Sequence, residues 1–139
     1  MNTSNEMPDE IDLRDAWENT YGIFIYTLSV LEMPPAEQCT EMGNYNVAWE
    51  LQHDGFDVDY LLDQEVIKFT EDQKKEMREL SSALHALGGG ALKYGPFTWE
   101  KNLEGMSNPG WQPVREIARK LIITLEPRTL ENRKYLNMS

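Results

Sequence analysis

Apolar residues recur every three or four positions along most of this chain, which is the spacing of one face of an α-helix. The first such stripe stops at Pro34-Pro35, because proline lacks a backbone N–H and restricts the residue before it. A second follows Thr70, which forms a capping-box pattern with Gln73. A third starts at Pro113, a residue suited to the first turn of a helix. The apolar positions are Leu13, Trp17, Phe24, Leu28 and Leu31; Met77, Leu80, Leu84 and Leu87; and Val114, Ile117, Ala118, Leu121, Ile122 and Leu125.

Shorter helices are predicted between the first two stripes. Residues 35–38 are expected to open a short helical turn that leads to Cys39 and Met42 and is broken by Gly43. Asn44 is expected to cap a helix over residues 45–53, with Gly55 in the position of a C-terminal cap. Asp57 is then expected to cap the next helix. The inner face of that helix is formed by Val58, Leu61, Leu62 and Val66.

Two further helices are predicted near the C-terminus. Thr98 is a suitable cap for a short helix that reaches Leu103. Residues 128–136 are expected to form the last helix, with Leu130 and Leu136 holding it to the core. Residues 23–30 are rich in β-branched and aromatic side chains, so a strand there is the main alternative.

Together these elements predict an all-α fold: a single compact domain of about five to seven helices. A length of 139 residues suits one domain, and the composition of 40% hydrophobic residues is ordinary for a globular protein. No long stretch alternates with the period of two that a half-buried strand requires. The domain is expected to span residues 1–139, with residues 1–8 and 137–139 frayed at its ends.

Charge divides the chain into unlike parts. Residues 1–72 carry a net charge of −15 and residues 73–139 a net charge of +4. An acidic surface repels nucleic acid and anionic membranes, and it attracts basic proteins. The single cysteine, Cys39, excludes an internal disulfide, and the N-terminal residues lack the pattern of a signal peptide. The sequence therefore predicts a cytoplasmic protein with a basic protein partner and no nucleic-acid or membrane partner. The alternative is that the net charge serves only to keep the protein soluble.

The densest acidic stretch runs from His53 to Glu65, which holds five acids, two aromatics and no Lys or Arg. A calcium loop would need alternating acids, a glycine at a fixed place and a closing glutamate. Here Gly55 comes too early and residues 58–62 have the pattern of a core helix, so no metal site is predicted. Asp59 and Asp63 share an outer helix face. A second acidic run comprises Asp9, Glu10, Asp12, Asp15 and Glu18, of which the last three are expected to share the solvent side of the first helix.

Candidate catalytic residues are few. The two histidines, His53 and His85, are not part of any catalytic or zinc motif. The triplet at residues 88–90 follows a helix and lacks the Lys-Ser or Lys-Thr of a phosphate loop, so it is interpreted as a helix terminator. Basic residues of the second half are scattered among acids and are expected to pair with the acidic half. No enzymatic activity and no cofactor are predicted.

This profile resembles that of the bacterial immunity proteins, including those of contact-dependent growth-inhibition systems. The resemblance lies in the small size, the acidity, the absence of catalytic motifs and the segment Phe56-Asp57-Val58-Asp59-Tyr60. It implies a specific inhibitor that binds a toxin domain tightly. Such toxins are often nucleases, whose basic clefts attract an acidic protein. Immunity proteins share no single fold, so no residue roles carry over from them.

We therefore expect the partner to be bound through acids and aromatics of the 53–65 stretch. The contact residues are predicted to be Asp54, Phe56, Asp57, Asp59, Tyr60 and Asp63. Two other classes remain open. One is a helical adaptor or regulatory protein, of phage or other origin, that binds a basic host protein. The other is a small enzyme that uses His85 or Glu100 in a pocket beneath residues 88–111.

Overall fold

The computed structural model describes residues 10–43, 45–88, 91–92 and 97–137. Over these residues the chain forms helices and no strand, which confirms the all-α class. The helices are α1 (Glu10–Leu31), α2 (Pro35–Met42), α3 (Val47–Gly55), α4 (Asp57–Asp63), α5 (Glu71–His85), α6 (Trp99–Met106), α7 (Trp111–Thr124) and α8 (Glu126–Asn137). Only Phe56 separates α3 from α4. The expected frayed segments at residues 1–8 and 138–139 lie outside the described residues, whereas residue 137 ends α8.

Two predicted helix caps are confirmed. The Thr70 hydroxyl accepts a hydrogen bond from the Gln73 backbone N–H at 3.1 Å, and the Gln73 side chain accepts one from the Thr70 N–H at 2.9 Å. This reciprocal pair satisfies two donors that the first turn of α5 leaves unbonded. Thr98 caps α6 in the same way, by accepting from the backbone N–H of Lys101.

The caps predicted for the N-terminal ends of α3 and α4 do not match those of the structure. Asn46 caps α3 by accepting from the Trp49 N–H at 3.1 Å, whereas the predicted cap, Asn44, lies outside the described residues. Asp57 makes no capping bond and is the first residue of α4. The reason is that Phe56 keeps a right-handed helical backbone, with φ −66° and ψ −6°. The chain therefore turns from α3 into α4 without the extended residue that a side-chain cap needs.

The core is built around α1, which contacts α2, α3, α4, α7 and α8. Trp17, Tyr21, Phe24 and Leu28 on its inner side are fully buried. The strand considered for residues 23–30 was wrong, because this segment is helical. Its buried positions recur at helical spacing, and Ile23 and Tyr26 between them are exposed.

Helix α8 is held to α1 largely by polar groups, and of the two predicted leucine anchors only Leu136 is partly buried, beside Gly22 of α1. Leu130 is 47% exposed, and the buried residues of α8 are Thr129 and Asn132. Asn132 donates to a Glu18 carboxylate oxygen at 2.7 Å, and Arg128 donates to the same carboxylate at 3.2 Å. Glu18 is therefore completely buried, which contradicts the prediction that it faces solvent.

The sequence predicted that the basic residues of the second half pair with acids. The buried Arg115 does not. Its guanidinium donates to the Gln38 side chain at 2.9 Å and to the Met33 carbonyl at 3.1 Å. A third bond goes to the carbonyl of Met106. Arg115 on α7 thus joins α2, α6 and the loop that follows α1. The prediction does hold for Arg128 with Glu18 and for Arg119 with Glu32.

The C-terminal end of α3 lies against the C-terminal end of α5. A Cβ atom on Gly55 would lie 2.6 Å from Leu84 Cδ1, so any larger residue here would force the buried Leu84 side chain to move. The Gln52 side chain donates to the carbonyl of Leu84 at 2.9 Å. These two contacts bring the α3–α4 junction next to the last turn of α5, where His85 lies.

Candidate functional site

The six predicted contact residues lie on α4 and at its junction with α3. Asp59, Tyr60 and Asp63 lie three, four and seven positions after Phe56, so the four residues share one side of the helix. The opposite side is the core side, where Val58 and Leu61 are fully buried. Asp54 ends α3 beside Gly55, and Asp57 begins α4. The structure therefore brings all six residues into one region.

Four aromatic rings form a continuous stack in the same region. The Trp49 and His53 rings are stacked with centroids 3.7 Å apart, and His53 meets Phe56 edge-on at 5.7 Å. Phe56 in turn stacks on His85 of α5 at 4.5 Å. Trp49 is 42% exposed and both histidines are exposed. We call the whole region the acidic-aromatic surface; it comprises Trp49, His53, Asp54, Phe56, Asp57, Asp59, Tyr60, Asp63 and His85.

Hydrogen bonds hold both histidine rings in place. His53 Nδ1 lies 2.9 Å from the carbonyl of Trp49, and since a carbonyl only accepts, Nδ1 carries the proton. His85 Nε2 lies 3.1 Å from one Asp59 carboxylate oxygen, and the Ser81 hydroxyl donates to the other at 2.6 Å. Asp59 is therefore bound within the molecule. Its carboxylate holds the His85 ring, and the His85 ring stacks on Phe56.

The other three acids of this surface are differently placed. Asp54, Asp57 and Asp63 form no ion pair with a lysine or arginine in the part of the chain that the structure describes. Partial burial raises the pKa of Asp57, and the neighbouring Asp54 carboxylate raises it further. Partial burial also raises the pKa of Asp54, which His53 partly offsets. The fold therefore disfavours the charged forms of both carboxylates.

Replacing Asp57 with Asn should stabilise the protein at pH 7. Because the pKa of Asp57 is raised in the folded state, its ionisation at neutral pH favours unfolding, and below the unfolded pKa this penalty disappears. We expect a gain of less than about 1 kcal/mol, because solvent screens surface carboxylates. The gain should shrink as the pH falls through the range in which carboxyl groups titrate. Urea unfolding at pH 7 and at pH 3 measures this difference.

The control for that variant is Glu79→Gln. Glu79 is exposed on α5, so its neutralisation should leave the free energy of unfolding unchanged at both pH values. An Asp57→Asn variant that is less stable than the parent at pH 7, or whose effect does not vary with pH, would contradict the account of this carboxylate.

Metal and catalytic arrangements are not evident among the described residues. No three His, Cys, Asp or Glu side chains converge there in a group suited to a metal ion. His85 is hydrogen-bonded to Asp59 and stacked on Phe56. Glu100 is exposed in the first turn of α6. The pocket envisaged beneath residues 88–111 includes residues 89–90 and 93–96, which lie outside the described residues.

A second exposed region lies between α1 and α8. A groove of about 540 Å³ is lined by Asn19, Gly22, Ile23, Tyr26 and Leu136. Ile23 is 59% exposed and Tyr26 is 53% exposed. This groove is apolar, whereas the acidic-aromatic surface combines rings with unpaired carboxylates. It is the main competitor as a binding site.

No family model, curated protein or solved structure matches this chain. Its function is therefore inferred from the chemistry of its own surfaces. None of the described helices combines the length and the apolarity that crossing a bilayer requires.

Sequence reasoning missed three members of the acidic-aromatic surface: Trp49, His53 and His85. A signal for two of them was present, since Trp49, His53 and Phe56 have the spacing of one helix face. The helix end predicted at Gly55 concealed this spacing, because it separated Phe56 from Trp49 and His53. His85 carried no such signal, because it reaches Phe56 through the packing of α5 against α3.

Proposed function

We propose that this chain is an immunity protein that binds and neutralises a cognate bacterial toxin domain in the cytoplasm through the acidic-aromatic surface. The toxin is of the nuclease class. The protein acts by occupying the toxin's substrate cleft and needs no catalytic activity or cofactor of its own.

One observation carries this proposal: Asp54 and Asp57 directly follow His53 and Phe56 of the aromatic stack along the chain, and neither acid has a Lys or Arg partner among the described residues. Their charged forms are disfavoured in the free protein. A bound cationic group would reverse that penalty, because an opposite charge favours the ionised carboxylate. Groups that cost stability in the free protein and gain a partner on binding are typical of functional sites.

The aromatic rings supply the apolar contact area that carboxylates lack. Aromatic residues are favoured at the centres of protein interfaces, where a few well-packed side chains dominate the binding free energy. Phe56 is half-buried and contacts His53 on one side and His85 on the other, so it is already ordered before binding. An ordered ring loses little conformational entropy on association.

The choice of a nuclease follows from charge. A nuclease cleft is built to bind phosphates, and carboxylates of a protein inhibitor occupy the same positions with the same sign of charge. The −15 charge of residues 1–72 attracts such a cleft over distances up to about one Debye length, roughly 8 Å in physiological salt. This attraction raises the rate of encounter as well as its selectivity.

The test is co-expression with the C-terminal domain of any toxin that an adjacent gene encodes. We expect the two chains to co-purify as a stoichiometric complex, and we expect the toxin domain to lose its nuclease activity when the complex forms. Failure to form a complex, together with undiminished toxicity in cells that express this chain, would overturn the proposal. Capture of a non-toxic basic protein by the same surface would replace it with the adaptor function.

A further inference from the structure

We infer that the acidic-aromatic surface recognises an arginine side chain of its partner. The guanidinium stacks against the Trp49–His53–Phe56 rings and pairs with the carboxylates of Asp54 and Asp57. This inference rests on the proposed function only in assigning that arginine to a protein partner. Its test uses peptides and does not require the toxin.

The helical register places the required groups together. Trp49, His53 and Asp57 follow at intervals of four residues. Phe56 keeps helical backbone angles between α3 and α4, so Asp57 continues roughly the same side of the chain by one turn. The Asp54 carboxylate lies close enough to Asp57 to raise the pKa of Asp57. A planar cation beside the stack therefore has two carboxylates nearby.

Arginine fits this arrangement better than lysine. The guanidinium is flat, weakly hydrated and able to stack on a ring while its N–H groups point sideways to carboxylates. Tryptophan offers the strongest attraction to a cation among the aromatic side chains. A lysine ammonium is compact and strongly hydrated, so it gains the charge attraction but little from stacking.

The chain already uses arginine in this way elsewhere. Arg14 lies over the ring of Tyr135 at 4.4 Å, and Arg128 lies 5.7 Å from the ring centroid of Trp17. No arginine or lysine of the described residues is placed over Trp49 in this way. The site is therefore preorganised on the protein side and leaves the place of the cation to another molecule.

Contacts within the protein hold the aromatic rings in place, which favours stacking of an incoming group. His53 covers one side of Trp49 at 3.7 Å and is bonded to the Trp49 carbonyl at 2.9 Å. Further along the stack, Phe56 is backed by His85, which Asp59 holds at 3.1 Å. Asp59 therefore acts as a positioning residue, and Asp54 and Asp57 are the carboxylates that contact the cation.

The experiment compares two nine-residue peptides in which glycine alternates with either arginine or lysine. Each is titrated into the ¹⁵N-labelled full chain, and the Trp49 indole and the backbone amides of residues 47–63 are followed by NMR. We expect the arginine peptide to bind about 2- to 5-fold more tightly, the range that a surface cation–π contact provides. The shifts should concentrate on the indole of Trp49 and on Asp54 and Asp57.

Matched variants separate stacking from charge. Trp49→Leu keeps an apolar side chain against His53 but removes the indole, and it should abolish the preference for arginine while leaving weak binding of both peptides. Trp99→Leu is the control, because Trp99 is 43% exposed and lies on α6, outside the surface. Asp54→Asn with Asp57→Asn should weaken both peptides alike. The neutral pair is not expected to unfold the chain, because the fold disfavours both charges.

Equal affinity for the two peptides would overturn the inference. So would a loss of preference in Trp99→Leu as large as that in Trp49→Leu. If both peptides bind residues 47–63 equally and a toxin domain is still captured, arginine recognition fails and the proposed function stands. If arginine is preferred and no toxin complex forms, the proposed function fails and arginine recognition stands.

Discussion

Replacing Glu18 with alanine is expected to lower the free energy of unfolding by about 3–5 kcal/mol, the usual cost of breaking a buried ion pair. The Glu18 carboxylate is fully buried and accepts hydrogen bonds from Arg128 at 3.2 Å and from Asn132 at 2.7 Å. Arg14 adds a further contact at 3.3 Å. Alanine would leave a largely buried guanidinium without its carboxylate and would open a cavity between α1 and α8. Urea unfolding followed by circular dichroism measures the loss.

The matched control for this variant is Glu131→Ala on α8. Glu131 pairs with Lys134 at 3.6 Å, but its side chain is 62% exposed and that of Lys134 is 72% exposed. Exposed pairs of this kind contribute about 0–1 kcal/mol. If Glu18→Ala cost no more than Glu131→Ala, the polar attachment of α8 to α1 would be wrong.

Reversing two charges of the acidic-aromatic surface is expected to slow capture of the partner by about 10-fold or more at low salt, since electrostatic steering raises association rates by 10–10³. The variant is Asp57→Lys with Asp63→Lys. Both residues are on α4, and neither forms an ion pair with a base of the described residues. Asp59 is deliberately left intact, because its bonds to Ser81 and His85 would be lost as well. Stopped-flow mixing with the toxin domain measures the rate.

The control carries the same change of charge elsewhere. Glu37→Lys with Glu79→Lys alters exposed residues of α2 and α5, so it changes the net charge as much as the surface variant does. If net charge alone governed capture, both double variants would slow association equally. We expect the control to lose much less rate and to keep the parent's dependence on salt concentration.

The helices that carry strong local signals could be predicted from the sequence. Thr70 with Gln73 and Pro34 with Pro35 determine their helix ends through bonds and steric limits within a few residues. The attachment of α8 could not be predicted, because it depends on partners more than 100 positions apart. Glu18 has the pattern of a solvent-facing acid until Arg128 and Asn132 of α8 cover it.

Some features of the candidate site could likewise be predicted from the sequence, and others could not. Six of its residues were identified from the local density of acids and aromatics between positions 53 and 65. The sequence could not show that Asp59 is bound to α5, whereas Asp54 and Asp57 lack a basic partner among the described residues. Nor could it show that both histidines flank Phe56. These distinctions arise from the packing of α5 against α3, which Gly55 makes possible.

The measurement that tests the central claim most directly is amide hydrogen exchange of the chain alone and in complex with the toxin domain. Our account predicts that binding increases protection over residues 47–63 and at the C-terminal turn of α5, where His85 lies. It predicts no added protection at the groove between α1 and α8. Protection confined to that groove, around Ile23 and Tyr26, with residues 47–63 unchanged, would contradict the account.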